Sequence, residues 1–99
     1  MKHEIFAILD MKVEAYHKPF FANSEGEAKR MIIETAKDEQ TTFHKYPEDF
    51  QLFHLGNYND STAKIESNEL PILLGNVLEI YTQGNKQKSI SNYEQGETI

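Results

Sequence analysis

The chain has 99 residues, enough for one domain around a modest core, and its 38% hydrophobic and 26% charged residues are an ordinary globular balance. Ten Lys and Arg stand against sixteen Asp and Glu, a net charge of -6 that repels phosphate at a distance, so any contact with nucleic acid has to be local. The absence of cysteine excludes a disulfide framework and thiolate zinc ligation and fits a reducing compartment such as the cytoplasm, and neither a membrane span nor an export signal is expected.

The first element is "HEIFAILDMKV", residues 3 to 13. Ile5, Ala7, Leu9 and Met11 fall on one side and Phe6 and Ile8 on the other, which predicts a strand buried on both faces. "YHKPFF" follows, and Pro19 keeps Lys18 out of the helical region, so this piece is extended or turning. "NSEGEAKRMIIETAKDE" carries a reciprocal helix cap, with Ser24 three residues before Glu27. Ala28, Met31, Ile32, Thr35 and Ala36 then recur on one helical face, predicting an amphipathic helix of about four turns.

"DEQTTFHKYPED" reads as a loop. "FQLFHLGNY", residues 50 to 58, predicts a second strand with Phe50, Leu52 and Tyr58 on one face and Phe53 and Leu55 on the other. "NDST" is a turn, and "AKIES" resumes as a short third strand, completing a hairpin. "LPILLGNVLEIYTQ", residues 70 to 83, is apolar but interrupted by Pro71 and Gly75, so it fits an edge strand, a covering segment or a short helix after Gly75. From residue 83 onward the chain is polar and aperiodic, the composition of a flexible tail.

The expected fold is α+β: a small antiparallel sheet of three to four strands in β-α-β-β order, packed on one amphipathic helix. It makes a single domain over 1–82, with a flexible tail over 83–99. One helix covers one face of a sheet, so the second apolar face, on residues 6 to 8 and 53 to 55, needs the carboxy-terminal segment or a second copy of the chain, and a homodimer is expected.

Little in the sequence points to catalysis, and the chain is not expected to be an enzyme. Glu48, Asp49 and Asp60 could share a hard cation, but Asn59 and Asp60 sit where a hairpin must turn and are explained by that alone. His3, His17, His44 and His54 lack the spacing of a zinc site, and His54, inside a strand built for burial, is expected to be packed and hydrogen-bonded. No serine lies in a glycine-flanked elbow, and the five glycines form no phosphate-cradling loop. Neither a metal nor a cofactor is expected.

A binding surface is the stronger candidate. Residues 10 to 21 interleave Lys12, His17 and Lys18 with Tyr16, Phe20 and Phe21, a composition that holds single strands through phosphate contacts and base stacking. Lys29 and Arg30, with Lys37 and Lys45, would extend it. The plainer alternative is that the aromatics plug the edge of a core and the lysines keep a surface soluble.

Together, "IFAILDMKVEAYHKPFF", the capped helix and "YPEDFQLFHLGNYNDSTAKI" resemble the small nonstructural protein of gokushovirus-type microviruses, bacteriophages with single-stranded DNA genomes. The likeness covers residues 3 to 82. It rests on Pro19 and Phe20 after the first strand and on Pro47, Glu48, Asp49, Phe50, Leu52, Phe53, Leu55 and Gly56 entering the second. Where relatives often carry two acids and then a glycine in the hairpin, this chain has Asn59, Asp60 and Ala63.

The resemblance implies a phage protein made in the host cytoplasm, absent from the capsid, that binds single-stranded DNA in genome replication or in the switch to single-strand synthesis and packaging. Lys12, Tyr16, Lys18 and Phe21 are its foremost candidate contacts, with Lys29 and Arg30 beside them, and affinity is expected to fall steeply with salt. The alternative is an acidic module that regulates a phage or host replication protein. A DNA mimic is a variant of it, with Glu25, Glu27, Glu34, Glu48 and Asp49 standing for phosphates.

Overall fold

The computed structural model describes residues 1–84. Strand β1 (Lys2–Asp10) is central, as its apolar composition on both faces requires, and every sheet contact on one side of the molecule is made through it. The chain turns back after Asp10, whose Oδ1 accepts the backbone N–H of Lys12 at 2.9 Å, and Glu14 takes a left-handed conformation (φ 58°) to close the turn. Strands β2 (Ala15–Tyr16) and β3 (Phe20–Ala22) then run antiparallel to the same edge of β1. They form one edge column interrupted at 17–19, where Pro19 cannot donate a ladder hydrogen bond.

Helix α1 (Glu25–Lys37) begins at Ser24, whose Oγ accepts the N–H of Glu27 at 3.1 Å, and it buries Ala28, Ile32 and Ala36. The segment expected to be a loop contains a one-turn helix, α2 (Thr42–Lys45), and a 3-10 turn over Pro47–Asp49. Thr41 caps α2 through the N–H of His44 at 3.2 Å, and Phe43 packs against Phe50 with ring centroids 4.7 Å apart. A cap and one half-buried ring order this turn.

Strand β4 (Phe50–Asn59) pairs with the other edge of β1, and β5 (Lys64–Asn76) pairs with β4, giving the column order β2/β3, β1, β4, β5, all antiparallel. β5 extends well past the expected short strand, and the carboxy-terminal apolar segment divides after Asn76: strand before it, helix after it. Helix α3, residues 77–84, starts with Asn76 Oδ1 accepting the N–H of Glu79 at 2.8 Å. Residues 83 and 84 thus belong to a helix, and the remainder of the expected tail lies outside the described residues. The fold class is α+β, as the sequence predicts.

A register shift in β4 decides which side chains share a face. Ile5 pairs with Gly56 but Phe6 with His54, so Leu55 is an extra residue, a β-bulge. Before it, alternation puts Phe50, Leu52 and His54 beside Ile8 and Phe6. After it the phase inverts, and Tyr58 pairs with His3 on the side of Ile5, Ala7 and Phe53. Tyr58 therefore lies opposite to its expected face, because a one-residue slip moves every later side chain to the other side.

The core sits on the Phe6 side. Phe6, Ile8, Phe50 and Leu52 from the sheet meet Ala28, Ile32 and Ala36 from α1 and Val77 and Ile80 from α3. Phe6, Leu52 and Val77 are completely enclosed, each worth about 1.5–3 kcal/mol of burial. Both helices lie over this one face, so the carboxy-terminal segment reinforces the covered side, Phe6 and Ile8 belong to the core and not to the second face expected of them, and no described residue covers the other side of the sheet.

Candidate nucleic-acid interface

The open face is built from alternate residues of all the strands. β1 contributes His3, Ile5, Ala7 and Leu9, and β4 contributes Gln51, Phe53 and Tyr58. Tyr16 stands beside Leu9, Phe21 beside Ile5, and on β5 Ile65 and Leu73 stand beside Tyr58 and Phe53. Among the described residues these register positions hold no Asp, Glu, Lys or Arg.

Four rings make two aromatic pairs across this face. Tyr16 meets Phe53 edge-on with centroids 5.5 Å apart, and Phe21 meets Tyr58 at 5.9 Å. The pairs shelter the floor between them, so that Ile5 and Ala7 are buried although no described element lies over this face. The outer rings stay accessible, Tyr16 at 48% and Phe21 at 54%. Phe20 points the other way and stacks on Phe6 at 5.7 Å, so of the two adjacent phenylalanines one serves the core and one the open face.

The six side chains predicted from sequence are only partly brought together. Tyr16 and Phe21 share the open face. Lys18 is exposed in the link between β2 and β3. Lys12 is exposed in the β1–β2 turn, where it borders a groove with Asp10, Glu48 and Asp49. Lys29 and Arg30 belong to α1, on the covered side, and Lys29 Nζ is 2.9 Å from Glu25 Oε2. Phe53 and Tyr58 are the members that sequence reasoning missed. Phe53 is expected on one face with Phe6 and Ile8, whereas the register sets it beside Ala7 on the open face, and Tyr58 is hidden from any alternation count by the bulge at Leu55.

The groups considered for chemistry have structural occupations. His54 accepts from Asn68 Nδ2 at Nδ1 (2.9 Å), which leaves its Nε2–H to donate to Glu4 Oε1 at 2.7 Å. Asn68 also donates to the backbone carbonyl of His54 at 3.0 Å, pinning the irregular part of β5 to β4. Packed edge-on against Phe6, His54 is the hydrogen-bonded strand residue that its setting predicts.

Asp60 lies in the β4–β5 turn, at the opposite end of β4 from Glu48 and Asp49, so the three acids do not converge. Its Oδ1 accepts from the Met1 ammonium at 2.7 Å and its Oδ2 lies 3.0 Å from His3 Nε2. These partners, the ammonium first, hold its carboxyl below the ordinary aspartate range. Among the described residues, no group of three His, Asp or Glu side chains is placed to hold a metal ion, and no helix is long and apolar enough to cross a membrane.

Compared with known proteins, the chain matches the family described as Phage ORF5 protein over residues 3–80. No curated protein and no solved structure matches it.

Proposed function

Because the chain belongs to the Phage ORF5 protein family, we propose that this phage protein binds single-stranded DNA during microvirus genome replication or the switch to single-strand synthesis and packaging. It acts by binding, without catalysis. The reading rests on one observation: Tyr16, Phe53, Phe21 and Tyr58 stand as two aromatic pairs on an open sheet face whose paired strand positions hold no Asp, Glu, Lys or Arg. Bases have two π faces and no fixed charge, so such rings hold them in any sequence, at about 1–3 kcal/mol per stacked base. Lys18 and Lys12, in the turns beside this edge, are the cations within reach of the flanking phosphates.

Fluorescence anisotropy with a labelled oligothymidylate tests the reading. Tyr16→Ala and Phe21→Ala should each weaken binding by about 5- to 150-fold, the loss of one stacked base, whereas Arg30→Ala on α1 should change it little. Equal affinity in wild type and both aromatic variants would overturn the assignment.

A second reading has its own observation. Between the pairs Gly56–Ser67 and His54–Ile72 the chain of β5 bulges outward, displaying Leu70 (75% exposed) with the acids Glu66 and Glu69 beside it. An apolar tip with an acidic rim suits a basic-rimmed groove on a phage or host replication protein. Loss of a cross-link to that protein in Leu70→Asp, with DNA affinity unchanged, is its signature.

A further inference from the structure

The open face also has an aliphatic half that stacking cannot use. Ile65 (62% exposed) and Leu73 (52% exposed) carry no ring, so a bound strand leaves them in water. We infer that a second copy of this chain docks on the open face, sheet against sheet about a two-fold axis, and that a DNA strand and the second copy exclude one another there.

Three observations favour a second copy as the occupant. First, size: four strand columns about 4.8 Å apart and strands of nine to ten residues at ~3.3 Å each give a footprint of roughly 600 Å² before side-chain relief is counted. One partner's share of a standard interface is about 800 Å². Second, charge: two chains of net charge -6 repel, yet the paired strand positions of this face carry no Asp, Glu, Lys or Arg, and the carboxylate at its His3 end, Asp60, is already paired with His3 and the Met1 ammonium. Third, composition: rings at the centre and depletion of charge are what distinguish the core of an interface from other surface. A face that presents the same apolar patch on both copies is satisfied by two-fold pairing, with each sheet becoming the cover that the other lacks.

The exclusion follows from shared residues, since Tyr16 and Phe21 would lie inside both contacts, and this part rests on the DNA reading above. Light scattering of the full chain, with and without an oligothymidylate of about 12 nucleotides, within the ~4–16 span of small single-strand sites, tests both parts.

Wild type should weigh twice the 11.5 kDa of one chain at high concentration. Leu73→Glu, or Ile65→Glu should the first variant fold poorly by circular dichroism, should weigh 11.5 kDa. Met31→Glu, on the outer side of α1, should remain paired. Adding the oligonucleotide to wild type should give single chains on DNA, and Leu73→Glu, with no second copy competing for the face, should still bind it. A wild type that stays single at every concentration, or pairing lost in Met31→Glu but kept in Leu73→Glu, would overturn the docking. A paired protein that carries DNA would overturn the exclusion. Pairing abolished by Leu73→Glu with no DNA bound by either protein would leave the docking standing and refute the DNA reading instead.

Discussion

Asp60 follows the last residue of β4, in a turn that Asn and Asp beside Ser and Thr favour. Its two partners, Met1 and His3, lie more than fifty residues away in sequence and are joined to it by strand pairing alone. The depressed carboxyl pKa gives a signed expectation. A group held below its unfolded value stabilises the fold above the ordinary aspartate range, and that contribution disappears as pH falls through the folded value. Asp60→Asn should therefore melt below wild type at neutral pH, with the gap closing on acidification below the aspartate range. A gap that widens in acid would refute the pairing. Asn68 makes a pH-independent counterpart. Its amide satisfies both the ring and the carbonyl of His54, so Asn68→Ala should cost about 1–3 kcal/mol in denaturant unfolding, the penalty for orphaned part-buried groups.

At the level of elements, the capped helix and the strands were visible in Ser24, Glu27 and the apolar periods, because each signal is local. The bulge at Leu55 was not, since it arises from pairing with β1, and the place of Tyr58 on the aromatic platform went unseen with it. Gly56, directly after the bulge, is the one residue that betrays it. A Cβ there would collide with the Glu66 carbonyl oxygen and stand 2.9 Å from Ser67 Cα, so β5 crosses too closely for any side chain. Gly56→Ala should lower unfolding stability by about 1–3 kcal/mol, the usual cost of overpacking. The same hairpin contains the opposite case. Ala63 holds a left-handed conformation (φ 62°) while its N–H bonds the Asn59 carbonyl at 2.8 Å. A Cβ in that region costs roughly 1 kcal/mol or more, so Ala63→Gly should raise the melting temperature.

For the whole molecule, what the sequence could not convey is how the cations are distributed over the folded surface. Read as a string, Lys12, Lys18, Lys29 and Arg30 extend one basic aromatic surface, and a steep salt dependence follows from it. Folded, Lys29 pairs with Glu25 on the covered side and Arg30 rides on the same helix, so of these four Lys12 and Lys18 remain, in the turns at the β2/β3 edge. If two cations meet phosphate, the logarithm of single-strand affinity should change with the logarithm of salt at a slope of about -1.4. Raising salt from about 50 to 200 mM then weakens binding only about 7-fold, against the ~10³–10⁵ typical of proteins that grip duplex DNA by six to ten phosphates. The net charge of -6 makes the dependence shallower still, because salt also screens the repulsion between protein and strand. An anisotropy titration across that range distinguishes the two modes. A shallow slope with a large loss in Tyr16→Ala is the behaviour of a stacking platform. A fall of a hundredfold or more would mean that many cations hold the strand, and with so few beside the open face the binding surface would have to lie elsewhere.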